Sequence, residues 1–170
     1  MSGKGKKKVL VFGYGNPGRL DDGLGPMFAE KMEKLNLDGV TVDSNYQLSV
    51  EDAAVIAEND FVVFVDADVA CTAPFSFQRV IPREHVSFSS HSISADALMA
   101  LAENLLSSKA EAFMLGIRGY EFNEFGEGLS ARAEENLEAA FIFLKEAIEE
   151  GTLSCHGDLS GTKKQSEGNQ

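Results

Sequence analysis

Cysteine is almost absent from this sequence. Cys71 and Cys155 are its only two, far apart and outside any CxxC spacing. Such a pair supports neither a disulfide framework nor a zinc knuckle, and a reducing, cytoplasmic setting is the expectation. Long apolar runs are missing as well. None approaches the roughly 20 residues a bilayer-spanning helix needs, so no membrane partner is expected. The basic stretch 1–8 is not followed by a signal-peptide core, because the apolar run from Val9 to Phe12 soon meets glycine. Residues 1–8 read as a flexible lead-in. Positive charge is scarce: 15 Lys and Arg against 27 Asp and Glu give a net charge of −12. Nucleic-acid affinity rests on Lys and Arg contacts to phosphate, so no nucleic-acid partner is expected. The bland account of the acidity is a soluble surface. No GxSxG elbow marks a serine nucleophile, and Cys71 has no basic partner near it in sequence.

What is present is a βα alternation of apolar runs and turn signals. At 170 residues the chain fits one domain of about 100–200 residues and can bury a core without staples. A continuous apolar run over 9–13 closes on glycine, as a buried parallel strand would. The stretch 22–35 carries Leu24, Phe28, Met32 and Leu35 at helical spacing, with Pro26 tolerable only in a first turn. Strands are expected over 40–43 and 61–66, the second being the strongest and the expected centre of the sheet. A short helix is expected over 50–58, an alternating edge strand over 75–81, a helix over 94–106 and a buried strand over 112–117. A long helix over 130–149 turns Ala133, Leu137, Ala140, Phe141, Leu144 and Ile148 inward. The expected class is α/β: an open, mostly parallel twisted sheet of about five strands with helices on both faces. Residues 9–150 form the single domain. The Gly-, Ser- and Lys-rich stretch 151–170 is expected to be a disordered tail.

After strand one comes Gly13-Tyr14-Gly15-Asn16-Pro17-Gly18, a literal GxGxxG with Asp43 near the place of a ribose-binding acid. The surroundings argue against a nucleotide. Gly18 is followed by Arg19-Leu20-Asp21-Asp22-Gly23, which still reads as loop, so the helix starts late. Two aspartates then stand where a pyrophosphate would need a positive helix end. Aspartate is also a favoured helix cap, and one of the pair is expected to cap.

Three groups converge on one rim. Asp66 closes the strongest strand, and ligands of open α/β sheets bind just outside such strand ends, where the strand order reverses. Asp22 follows strand one through its loop. His91 lies in the polar loop 87–94, which returns to the same edge. Each has an ordinary reading as a cap or surface group; their meeting is what points to a site. Two carboxylates and an imidazole suit zinc, nickel, iron or manganese and leave positions open for a further ligand. His85 and His156 read as solvated, and Gly126 and Gly128 as loop residues before the last helix.

Taken together these segments resemble the hydrogenase maturation endopeptidases, which trim the C-terminus of the large subunit of nickel–iron hydrogenases. The likeness spans roughly Val9 to Ile148. It rests on Gly13-Tyr14-Gly15-Asn16 with Asp21-Asp22-Gly23-Leu24-Gly25, on Phe64-Val65-Asp66-Ala67, and on His91 shortly before Ala95-Asp96-Ala97-Leu98. The resemblance implies an endopeptidase in which Asp22, Asp66 and His91 contact the metal. Asp22 stands where some relatives carry glutamate. Asp43, with Asn16 and Asp21, is expected to line the cleft. The metal it implies is the nickel already inserted in the precursor, the expected partner, and exogenous zinc, cadmium or calcium could take its place. A metal ion would polarise the scissile carbonyl or acidify a water, so no serine or cysteine nucleophile is needed. Two other classes stay open. Gly15-Asn16-Pro17-Gly18 is also similar to a turn of the peptidyl-tRNA hydrolases, although Asp21-Asp22 fills the place of that family's histidine. The non-enzymatic alternative is a nucleotide- or metal-binding module.

Overall fold

The computed structural model describes residues 5–83 and 92–159. The elements run β1 (Val9–Tyr14), a 3-10 turn (Leu20–Gly23), α1 (Leu24–Glu33), β2 (Val40–Asn45), a 3-10 turn (Val50–Asp52), α2 (Ala53–Ala57), β3 (Phe61–Asp68), β4 (Phe75–Val80), α3 (Ala95–Leu106), β5 (Glu111–Arg118), α4 (Ala131–Glu150), a 3-10 turn (Leu153–His156) and β6 (Asp158–Leu159). They build one sheet in the order β2-β1-β3-β5-β4-β6. The β1–β2, β1–β3 and β3–β5 pairs are parallel. β4 is antiparallel to β5 and to the two-residue β6. The fold is thus the open, mostly parallel α/β sheet that the strand–helix alternation predicts.

Side chains along a strand alternate between faces, and here both faces are covered. Val9 and Val11, Val63 and Val65, and Phe113 and Leu115 face α1 and α4, meeting Leu24, Phe28, Met32, Leu137, Phe141 and Leu144. Leu10, Phe12, Val62, Phe64 and Ala112 face α2 and α3, meeting Ile56, Leu98, Met99 and Ala102. Phe28 sits edge-on to Phe141, ring centroids 5.9 Å apart, which ties α1 to α4 on their shared face of the sheet. Burying each large apolar side chain contributes about 1.5–3 kcal/mol. Among the described residues, no helix is long and apolar enough to cross a membrane.

Three expectations need correction. The helix expected from residue 22 begins at Leu24, because Leu20–Gly23 takes a tighter 3-10 turn first; Pro26 then falls in the first turn, where its missing N–H costs nothing. The tail expected to be disordered from residue 151 is ordered through Leu159. Gly151 ends α4 in the left-handed conformation, Leu153 is buried, and β6 pairs with β4. The Arg79 N–H donates to the Gly157 carbonyl at 2.8 Å, and Arg79 also reaches the Ser154 carbonyl. His156, read as solvated, is half-buried; it meets Phe143 edge-on and lies 3.2 Å from the Thr152 hydroxyl. Polar composition hid one anchoring leucine and an edge strand in need of a partner. Residues 160–170 lie outside the described residues.

Candidate functional site

The chain leaves β1 through α1 to β2 on one side, then crosses to β3 on the other. The C-terminal ends of β1 and β3 are therefore the point where strand order reverses, the usual ligand crevice of open α/β sheets. β1 delivers Tyr14 and the loop to Asp22 there, and β3 delivers Asp66 and Asp68.

Glycines bring these segments close. A Cβ on Gly13 would lie 2.1 Å from the Gly25 carbonyl oxygen, and one on Gly25 would lie 2.3 Å from that of Tyr14 and 2.6 Å from that of Val65. The first turn of α1 thus rests directly on the backbones of β1 and β3. Gly15, at φ +141°, turns the chain outward. Asn16 then organises the loop: its N–H donates to Asp22 Oδ2 at 3.0 Å, and its Oδ1 accepts from the Gly18 N–H at 2.9 Å. Asn16 is half-exposed and orients Asp22.

Asp22 and Asp66 are both half-buried at this rim. The Ala67 N–H donates to Asp66 Oδ1 at 2.8 Å. Burial pushes the Asp66 carboxyl up to about 7; the nearby charges of Asp22 and Asp68 push the same way, while the Ala67 N–H and the Tyr14 hydroxyl hold it down. Burial and the charge of Asp66 also raise Tyr14 well above the ordinary phenol range. The Tyr14 hydroxyl approaches Met114 Sδ to 3.9 Å. Sequence reasoning missed Tyr14. The signal was available: two residues after Phe12, it shares that residue's face of the sheet.

Asp68 ties down its own loop. Its Oδ1 accepts from the N–H groups of Ala70 and Cys71 at 2.8 and 3.0 Å. Burial, then the Asp68 charge, raises the Cys71 thiol, which makes it a poor nucleophile.

The expected cleft-lining role of Asp21 is corrected. Asp21 is fully buried. Its Oδ2 accepts from the Tyr120 and Glu121 N–H groups at 2.8 and 3.0 Å and from the Ser130 hydroxyl at 2.8 Å, and its Oδ1 accepts from the Ser130 N–H at 2.8 Å. Burial alone would raise this carboxyl; the hydrogen bonds outweigh it and hold it below the ordinary range. Neither Asp21 nor Asp22 caps α1, whose N-cap is Gly23. Asp43 is exposed and accepts from the Ser44 N–H. It borders a shallow groove of about 400 Å3 with Pro17 and Pro26, and neither Asp22 nor Asp66 lines that groove.

The structure therefore brings together Asp22 and Asp66, with Tyr14 between sheet and solvent. His91 lies outside the described residues. Ser92, the next residue in the chain, lines a hollow with Tyr14 and Met114. Among the described residues, no three His, Cys, Asp or Glu side chains gather as a metal-binding set.

No protein-family model matches the sequence, and no curated protein is similar to it at the sequence level. Solved structures are similar in fold. The NiFe hydrogenase maturation protease HycI from Thermococcus kodakarensis superposes with a TM-score of 0.67 at 22% identity, over 86% of this chain and 95% of that one. The hydrogenase maturating endopeptidase HybD from E. coli gives 0.65 at 20% identity, over 85% and 93%. A hydrogenase 2 maturation peptidase from a Thaumarchaeota archaeon gives 0.61 at 21%, over 84% and 99%. Over 84–86% of its length, this chain has the fold of the hydrogenase maturation proteases.

Proposed function

We propose that this protein is an endopeptidase that removes the C-terminal extension of a nickel-loaded nickel–iron hydrogenase large-subunit precursor. The observation that carries this reading is the pair Asp22 and Asp66, two half-buried carboxylates close enough at the switch point for one charge to raise the other's pKa. The fold shared with maturation endopeptidases supports it.

The donor chemistry fits a cation brought by the substrate. Asp22 gives one oxygen to the Asn16 N–H and Asp66 one to the Ala67 N–H, which orients both groups. Two oxygens at half-buried positions, with His91 as the proposed third ligand, match a borderline divalent ion. Nickel held in the precursor would withdraw electron density from the scissile carbonyl or the attacking water. The protein's own part is to position and to move a proton. Whichever carboxylate is not fully engaged in ligation, Asp22 or Asp66, would take a proton from water as its oxygen attacks the carbonyl carbon, and return it to the departing amine. The Tyr14 hydroxyl steadies the ionised form of Asp66.

The test is incubation with nickel-loaded and nickel-free precursor, reading the mass of the large subunit. Cleavage of the loaded form alone is expected. Asp22→Ala, Asp66→Ala and His91→Ala should each lower the rate by at least about 100-fold. Equal cleavage of both precursors would remove nickel from the reading. Intact precursor in every reaction would remove the peptidase reading, and salt-dependent RNA binding would then favour the hydrolase of peptidyl-tRNA.

A further inference from the structure

Beside the acid pair lies a hollow of about 580 Å3 that the proposed proton transfer does not use. Its larger apolar lining residues are Tyr14, Leu48, Val80, Ile93 and Met114, and Ser94 and Asp96 stand among its polar groups. Strand register explains why it opens next to Asp66. Phe64 pairs with Met114 and Asp66 with Gly116, so Phe64, Asp66, Met114 and Gly116 share one face of the sheet by the two-residue alternation. Phe12 pairs with Phe64, which puts Tyr14 on that face too. Below this level the face is sealed by α2 and α3: Phe12, Phe64 and Leu98 are fully buried. At the level of Met114 and Tyr14 the cover supplied by the described residues stops, and both side chains are half-exposed. Among the described residues, apolar surface is thus left open directly beneath a candidate catalytic carboxylate.

The rim is built rather than loose. Asp96 Oδ2 pairs with Arg83 Nε at 3.0 Å and its Oδ1 accepts from the Ser94 hydroxyl at 2.5 Å. These bonds fix the entry to α3 and with it Ile93. The Asp96 charge is already matched by Arg83, so the hollow offers a charged guest no free counter-ion among these groups. Water in it gains little from Leu48, Val80, Ile93 and Met114, whereas an aliphatic or aromatic side chain would release that water. Met114 can repack around guests of differing shape.

We infer that the hollow of Tyr14, Leu48, Val80, Ile93 and Met114 is the specificity subsite for one apolar side chain of the precursor flanking the scissile bond. The inference rests on the peptidase reading. Tyr14 joins the two places: its ring walls the subsite and its hydroxyl touches the electrostatics of Asp66. A filled subsite would set the scissile carbonyl against Asp66 and Asp22, in the manner of a positioning contact.

The experiment varies both partners. Loaded precursors carrying Leu, Ala or Asp at each of the two residues on either side of the cut are processed by wild-type protein, Met114→Trp and Val80→Ala. With wild-type protein, one position should prefer Leu over Asp by at least tenfold in kcat/KM. Met114→Trp should shift that same position toward Ala by at least tenfold, and Val80→Ala should shift it toward larger residues. A wild-type protein that cleaves every precursor at similar rates would overturn the subsite while leaving the peptidase intact. So would a preference that neither variant moves. Substrate scanning of the wild type needs no altered protein to fold. Failure to cleave any loaded precursor would instead strike at the peptidase reading.

Discussion

At the scale of the residue, Asp21 and Asp22 show how two adjacent acids can diverge. The first is buried and takes four hydrogen bonds, whereas the second stands half-buried at the rim. Leaving a buried donor unmatched costs about 1–3 kcal/mol. Asp21→Ala orphans several, and urea unfolding at pH 7 should show a loss of roughly 3–5 kcal/mol. The Asp21 pKa lies below its unfolded value of 3.8, so its contribution is present above that pH and is lost as pH falls through the folded value. The acid limb of the stability curve should therefore be shallower in Asp21→Ala. Asp66 has the opposite sign. Its folded pKa of about 7 exceeds its unfolded 3.8, so the ionised group burdens the fold increasingly from pH 4 to 7 and fully above. In chelator, Asp66→Asn should melt at least about 3 °C above wild type at pH 8 and close to it at pH 4. An equal gap at both values would count against this electrostatic account. The same substitution should abolish processing, the familiar opposition of stability and activity.

Asp66 was legible in the sequence because an acid after five apolar residues has to leave the core at a strand end. Asp21 was not, because its partners at 120, 121 and 130 are about a hundred positions away, and no local spacing announces them. Tyr14 belongs to β1, but the glycines on either side of it give the sequence there the look of a turn.

At the scale of the element, the contact of α1 with β1 and β3 is the feature that places Asp22. Alanine is ordinarily better than glycine in a helix by about 0.5–1 kcal/mol. At Gly25 the sign reverses, since a Cβ would sit 2.3 Å from the Tyr14 oxygen, with backbone on both sides and nothing flexible to yield. Gly25→Ala should lose at least about 2 kcal/mol in urea unfolding and reduce processing with it. The strands over β1, β3 and β5 and the stripe of α4 were readable from apolar runs and helical spacing. The start of α1 was misplaced by two residues because apolar periodicity cannot tell a 3-10 turn from the first turn of an α-helix. The segment Leu153–Leu159 was missed because its two-residue pairing with β4 carries no pattern at all.

At the scale of the whole molecule, that segment closes an exposed flank. A bare edge strand invites pairing with another chain. Leu153 is buried, and β6 pairs with β4 at Phe77 and Gln78. Removing residues 152–170 should lower stability by at least about 2 kcal/mol and produce concentration-dependent association in light scattering. The sheet order itself was only partly legible: the alternation of elements implied parallel strands, but the antiparallel insertion of β4 beside β5 depends on long-range packing.

The anchoring of Asp21 by the segment 120–130 also joins two loops that the chain supplies far apart. Across the same seam the Leu20 N–H donates to the Gly126 carbonyl, and the Gly126 N–H donates to the Gly18 carbonyl. The loop after β5 and the arm bearing Asp22 are thus held together by backbone hydrogen bonds as well as by the Asp21 carboxylate. A substitution in the segment 120–130 that loosens this seam would therefore be felt at Asp22, although the two stand about a hundred positions apart in the chain.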